Sequence, residues 1–235
     1  MPSMFNPYEL FIGLRYMRAK RRNHFISFIS LTSVLGVALG VTALITVLSV
    51  MNGFHKELTD RTLSMASHAT VLERNENLSN WRIIAEQVES HPEVAGVAPY
   101  FRAEGMLVND KQVSGTIIRG ILPEEEIKVS EISEKIIEGE LANLKPGEFG
   151  IVLGKELSRS LHVLTGSKVT LVAPQANITP AGILPRLKRF TVVGIFEVGM
   201  QEFDSALALI HLDDAQKLFR KTSPNGLRIK TTDIM

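Results

Sequence analysis

The chain divides by its pattern of apolar and polar positions. From Phe25 to Met51 no charged side chain occurs. About 27 residues at roughly 1.5 Å each make a helix of about 40 Å, against a hydrocarbon core of about 30 Å. The run is too long for an ordinary core helix and for a signal-peptide apolar region, and no small-residue cleavage site follows it. It predicts a retained transmembrane helix over residues 25–52. Thr32, Gly36 and Gly40 fall four apart on one face, a spacing that lets another helix approach closely. Asn52-Gly53 predicts a break or kink, after which Phe54, Leu58 and Met65 continue as a helical stalk. Upstream, Asn6-Pro7-Tyr8-Glu9 reads as a helix start. Tyr8, Phe11, Leu14 and Met17 then recur near helical spacing, so residues 1–24 read as a basic amphipathic helix on the membrane surface. A solvated basic tail is the alternative.

Beyond the span, periods of 2 and 3.6 alternate. His68–Glu73 and Val94–Phe101 read as strands around a helix at Asn77–Ser90, whose face is Leu78, Trp81, Ile84, Ala85 and Val88. A similar unit returns near the C-terminus: strand Ala206–His211, helix Leu212–Phe219 opening on an Asp pair, strand Gly226–Lys230. Between them the pattern is strand-rich. Glu104–Val108 and Gln112–Ile121 flank a turn at Asn109-Asp110. Glu124–Glu138 reads as partly helical after Pro123, and Phe149–Leu153 as a strand before a helix near Lys155–Leu161. The whole predicts an α+β subdomain built from both ends (53–101 and 201–235) around a β-rich subdomain (102–200).

One stretch departs from a plain scaffold. The predicted strands Lys168–Ala173 and Arg189–Glu197 are separated by Pro174–Lys188, about 15 residues where a hairpin loop usually needs 2–5. Pro174, Pro180 and Pro185 fix φ and remove donors, so the stretch reads as a stiff protruding loop over 174–188. It presents Ile178, Ile183 and Leu184 and closes on Arg186, Lys188 and Arg189. Two readings stand: a docking element for another protein, or a tolerated insertion.

Charge orients the membrane helix. Arg15, Arg18, Lys20, Arg21 and Arg22 precede it, while Lys56 and Arg61 alternate with Glu57 and Asp60 after it. The short basic flank belongs in the cytoplasm, which exports everything after about residue 52. With Glu9 the first 24 residues carry +4 of a net +1, so the exported portion is slightly acidic and offers no footprint for nucleic acid. The 235 residues include no cysteine, which excludes disulfides and thiolate chemistry and suits an oxidising compartment such as a bacterial periplasm.

Catalytic and metal-binding motifs are lacking. There is no G-x-x-x-x-G-K-[ST] and no G-x-S-x-G, and the six histidines form no zinc-ligand spacing. The nearest approach to a metal cluster is His211 with Asp213 and Asp214, but a helix N-terminus favours aspartate by itself. Glu124-Glu125-Glu126 reads as a solvated first helical turn. No catalytic residue, metal ligand or cofactor site is assigned.

Several segments resemble one family. Tyr8-Glu9-Leu10-Phe11-Ile12-Gly13-Leu14-Arg15-Tyr16, the stretch Ser27–Gly36, Gly40-Val41 and Val50-Met51-Asn52-Gly53-Phe54 resemble the lipoprotein-releasing permeases of the LolC/LolE type. Thr179-Pro180-Ala181-Gly182-Ile183-Leu184-Pro185 and Gly194-Ile195-Phe196 extend the likeness, which covers essentially the whole chain. The resemblance implies an N-terminal transmembrane helix followed by a MacB-like periplasmic domain. It implies a bacterial inner-membrane subunit of an ABC transporter that extracts outer-membrane lipoproteins and passes them to a periplasmic carrier. ATP and Mg²⁺ would be handled by a separate LolD-type ATPase subunit, beside a LolE-type partner permease or a second copy. The prolyl segment would be the hook for a LolA-type carrier: Pro174, Ile178, Thr179, Pro180, Gly182, Ile183, Leu184 and Pro185, with Arg186, Lys188 and Arg189 as a polar pad. Val47, Val50, Met51 and Phe54 are the expected contacts with lipid chains. Family members carry three more transmembrane helices after this domain, so the chain reads as a fragment of a four-helix permease or a carrier-binding remnant. The alternatives are a MacB-type efflux permease or an FtsX-like tethered regulatory domain.

Overall fold

The computed structural model describes residues 8, 11–13, 15, 24–65, 68–73, 77–179 and 182–232. It separates into two units, Met1–Glu57 and Leu58–Met235, taken in turn.

In the first unit, Tyr8, Phe11–Gly13 and Arg15 are helical. Leu14, Met17 and the basic cluster beyond Arg15 lie outside the described residues. Helix α1 covers His24–Met65, and Phe28–His55 within it is long and apolar enough to cross a membrane. The expected break at Asn52-Gly53 does not occur. A glycine costs a helix interior about 1 kcal/mol relative to alanine, too little to interrupt a long helix. Thr32, Thr42 and Thr46 donate their hydroxyls to the carbonyls of Phe28 (2.9 Å), Ala38 (2.7 Å) and Thr42 (2.8 Å). Each of these three threonine hydroxyls is thereby paired within the helix in an apolar surround.

The second unit is organised by one nine-stranded sheet. Strand β1 (Ala69–Leu72) and helix α2 (Trp81–Glu89) lead into β2 (Val94–Asn109), which turns into β3 (Gln112–Ile121). Helix α3 (Pro123–Val129), two 3₁₀ turns and β4 (Ile136–Gly139) follow, then β5 (Gly150–Gly154) and helix α4 (Lys155–Ser160). The chain continues as β6 (Lys168–Thr179), β7 (Gly182–Phe196), helix α5 (Gln201–Ala206), β8 (Leu207–His211), helix α6 (Leu212–Phe219) and β9 (Gly226–Thr231).

Three boundaries differ from expectation for local reasons. Helix α2 starts at Trp81 because Asn77 and Leu78 are committed elsewhere: Asn77 Oδ1 accepts the Ser223 hydroxyl, and the Leu78 N–H donates to the Pro224 carbonyl at 3.0 Å. The two strands expected at Val94–Phe101 and Glu104–Val108 are one, β2. On one edge it pairs with β9 over Val94–Tyr100 and with β6 over Met106–Val108. Between them the Arg102 N–H donates to Asn225 Oδ1 at 2.8 Å, in place of a strand partner. The β2–β3 turn is Asp110-Lys111, since Asn109 still pairs with Gln112 and Asp110 has φ +49°.

Pairing closes on itself. β2 pairs with β3, β3 with β8, β8 with β5, β5 with β7, β7 with β6, and β6 with β2. β8 therefore lies between β3 and β5, among strands of the middle stretch, although its residues come from the C-terminal end. Every residue of β5 and β8 is buried. One face of the circuit packs Leu107, Ile118, Leu153, Leu171, Phe190 and Ile210; the other packs Ile121, Val152, Phe196 and Leu209. A third, smaller cluster sets Leu78, Trp81, Ile84 and Val88 against Val97, Leu227 and Ile229. This is the α2 face that helical spacing predicts. Helix α6 lies close on β3 because Gly120 makes room: a Cβ there would meet Ala215 Cβ at 2.7 Å.

Candidate functional site

The prolyl stretch is a two-stranded arm. β2 accompanies β6 only as far as Met106–Val172, and β5 joins β7 only from Thr191. Between these points Ala173 pairs with Arg186, Ala176 with Pro185, Asn177 with Leu184, Ile178 with Ile183 and Thr179 with Gly182. The expected loop over 174–188 is thus corrected: all but its tip is antiparallel ladder. Proline is compatible with extended backbone where its missing N–H faces an open edge or a bulge. Pro185 sits on a strand with no outer neighbour there, and Pro174 falls in the register shift between Ala173 and Ala176. Pro174 and Pro185 are exposed. For Ile178, Thr179, Gly182, Ile183 and Leu184 only the backbone pairing is described, and Pro180 lies outside the described residues.

Strand alternation separates the expected pad. Arg186, Lys188 and Phe190 share one face of β7, opposite Ala173, Leu171 and Val169, which are buried. Lys188 extends its ammonium over the Phe149 ring, 3.7 Å from the centroid, and Phe149 meets Phe190 edge-on at 5.6 Å. Its charge is held by an aromatic face next to the core. Arg189 points to the other side of the sheet, opposite Thr170, and is exposed. The three cations do not form one patch.

The face that carries Arg189 holds residues that sequence reasoning missed. Register places Met106, Val172 and Leu187 in one row, and Val113, Val108, Thr170 and Arg189 in the next. Met106, Val113 and Leu187 are large apolar side chains exposed by 46%, 60% and 59%. The arm therefore rises from an apolar surface bordered by Arg189. A period of two marks which residues share a strand face, but the four-strand register that unites them is non-local.

Val47, Val50, Met51 and Phe54 lie on α1 and are exposed, as is the whole of Phe28–His55; their spacing puts them on one helical face.

Polar groups inside the domain serve structure. His211 caps α6, its Nδ1 accepting the Asp213 N–H at 3.2 Å. The buried Asp214 carboxylate accepts the N–H groups of Gly147 (2.8 Å) and Phe149 (3.1 Å). That of Asp204 accepts those of Val198 (2.8 Å) and Gly199 (2.9 Å). Among the described residues no group of three His, Cys, Asp or Glu is placed to hold a metal. Glu126 departs from the expected solvated turn: it is buried and paired with the buried Arg228. Helix α3 lies on the sheet and carries Glu126 inward, because Gly96 leaves no side chain beneath Lys128. Burial and the nearby Arg228 lower the Arg119 pKa to about 10. The exposed Lys128 ammonium is held above its ordinary pKa by its hydrogen bond to Glu125.

An apolar N-terminal helix followed by this mixed sheet with helices on its faces defines a known class. The chain belongs to the family of MacB-like periplasmic core domains, matched over residues 30–234. Within that class it is similar to the lipoprotein-releasing system transmembrane protein LolC of Xylella fastidiosa, 48% identical over 98% of this chain and 56% of that protein. LolC of Neisseria meningitidis serogroup B is 46% identical over 96% of this chain and 54% of that protein. LolE of Haemophilus influenzae is 29% identical over 95% and 55%. The chain thus spans a little over half the length of these relatives. The periplasmic region of MacB from Actinobacillus actinomycetemcomitans aligns with a TM-score of 0.44 at 14% identity, over 72% of this chain and 68% of that one.

Proposed function

We propose that this chain is the N-terminal part of a LolC-like permease subunit of an ABC transporter. It sits in the bacterial inner membrane, with its N-terminus in the cytoplasm and its sheet domain in the periplasm. The transporter extracts lipoproteins destined for the outer membrane and passes them to a LolA-type carrier. The observation that carries this reading is 48% identity to a LolC protein along nearly the whole chain. ATP hydrolysis belongs to a LolD-type partner, and the membrane path is shared with a LolE-type subunit or a second copy.

The arm from Pro174 to Pro185 is the hook in this reading, and Arg189 with Leu187 and Met106 forms the surface beneath it. The arm's construction supports the role: a ribbon with no third strand can enter a partner without disturbing the sheet. The test is binding of a LolA-type carrier to the full chain in maltoside micelles, with and without residues 174–185. Binding that vanishes with the deletion is expected; an intact, folded chain that fails to bind overturns the hook. Val47, Val50, Met51 and Phe54 meet the acyl chains, whose extraction costs about 0.8 kcal/mol per CH₂. A photo-crosslinker at Met51 should capture lipoprotein in the assembled transporter, and empty crosslinking at all four positions would remove that assignment.

A further inference from the structure

Two arginines face each other where a sheet would normally avoid it. Arg102 on β2 is directly opposite Arg119 on β3, and like charges at such a pair are destabilising. Arg228, opposite Ala98 on the same face of the sheet, is a third guanidinium near Arg119. One carboxylate, Glu126, lies among them: its Oε1 accepts from Arg228, and its charge also acts on Arg119. Among the described residues neither the Arg102 nor the Arg119 guanidinium forms a hydrogen bond or ion pair. Glu104, two residues along the same face, is exposed and pairs with neither. Arg102 is open to solvent, whereas Arg119 is half-buried.

A half-buried cation beside two others costs stability unless an anion completes it. Three guanidiniums against one carboxylate leave a surplus of two positive charges. Guanidinium forks bind phosphate and carboxylate bidentately, and a surplus of this size matches a phosphate monoester, whose charge is about −1.5 to −2 at neutral pH. We propose that the Arg102–Arg119 pair holds one phosphate-class oxyanion, either free phosphate or the phosphate of a lipid headgroup. The site lies on the same sheet face as Met106, farther back along β2 with Glu104 between them.

The test uses the full chain in maltoside micelles at constant ionic strength. Binding of inorganic phosphate, of soluble dihexanoyl phosphatidic acid and of acetate is measured by calorimetry for the parent, Arg102→Gln and Arg119→Gln. Saturable phosphate binding, weakened at least tenfold in each variant, is the expected result. A phosphatidic acid affinity at least tenfold above that of phosphate assigns the site to a headgroup; equal affinities assign it to the free ion. Binding no stronger than that of chloride, binding unchanged in both variants, or acetate as tight as phosphate overturns the proposal. Thermal unfolding without phosphate guards against misfolding: Arg119→Gln should be at least as stable as the parent, since it removes an uncompensated charge. A less stable Arg119→Gln together with an Arg102→Gln that binds like the parent would make the cluster purely structural and overturn the site.

Discussion

Strands β6 and β7 pass through two environments, and the contrast shows what holds each. In their inner halves, Lys168–Val172 and Phe190–Phe196, they are flanked by β2 and β5 and bury Val169, Leu171, Phe190 and Val192. In their outer halves, Pro174–Thr179 and Gly182–Pro185, the strand pairing described is with each other alone. The inner halves are strands because tertiary packing rewards alternation. The outer halves are strands because a ladder satisfies the backbone, with prolines where no donor is needed. An isolated two-stranded hairpin is marginal in water, so the arm depends on the sheet while the sheet has little need of the arm.

That asymmetry can be broken or sharpened by substitution. The largest effect is expected in the inner half: Phe190→Ala removes a fully buried ring that also supports Phe149, and should cost about 3–5 kcal/mol in denaturant unfolding. Removing residues 174–185 in favour of a two-residue turn should change the same measurement by less than about 1 kcal/mol. A loss comparable to that of Phe190→Ala would show that the arm belongs to the core. The smallest effect tests the two faces of β7. Lys188→Met gives up one cation–π contact, worth about 0.5–1 kcal/mol at an exposed site, and should leave carrier affinity within about twofold. Arg189→Glu should leave stability unchanged and weaken carrier binding; the opposite pattern would return Lys188 to the docking surface.

Much of the domain was legible in the chain. Helix α6 begins and ends where its Asp pair and apolar spacing put it, and β5, β8 and β9 fall within a residue of their expected limits. These elements are short, strongly patterned and bounded by residues with local preferences. What could not be read depends on partners distant in sequence. Prolines 174 and 185 look like loop signals until the neighbouring strands show which edge is open. Glu126 looks solvated until Arg228, 102 residues away, reaches it beneath α3. The pad residues look like one cluster because they are close in sequence, and separate only when strand alternation is imposed. Asn52-Gly53 failed in the other direction, since a local break signal was outweighed by a long helix continuing on both sides.

One feature of the sheet bears on how the domain would answer a pull. β1 and β9 are antiparallel neighbours with Ala69 opposite Ile229, and the His68 Nδ1 accepts the Thr231 N–H at 3.0 Å. The first and last strands of the domain therefore lie side by side at one edge. A tension drawing residue 68 away from residue 232 would load these bonds one after another, as a zipper opens from its tab, instead of shearing them all together. The seam should part at modest force and leave the closed circuit of six strands intact, so the domain has a built-in place to yield.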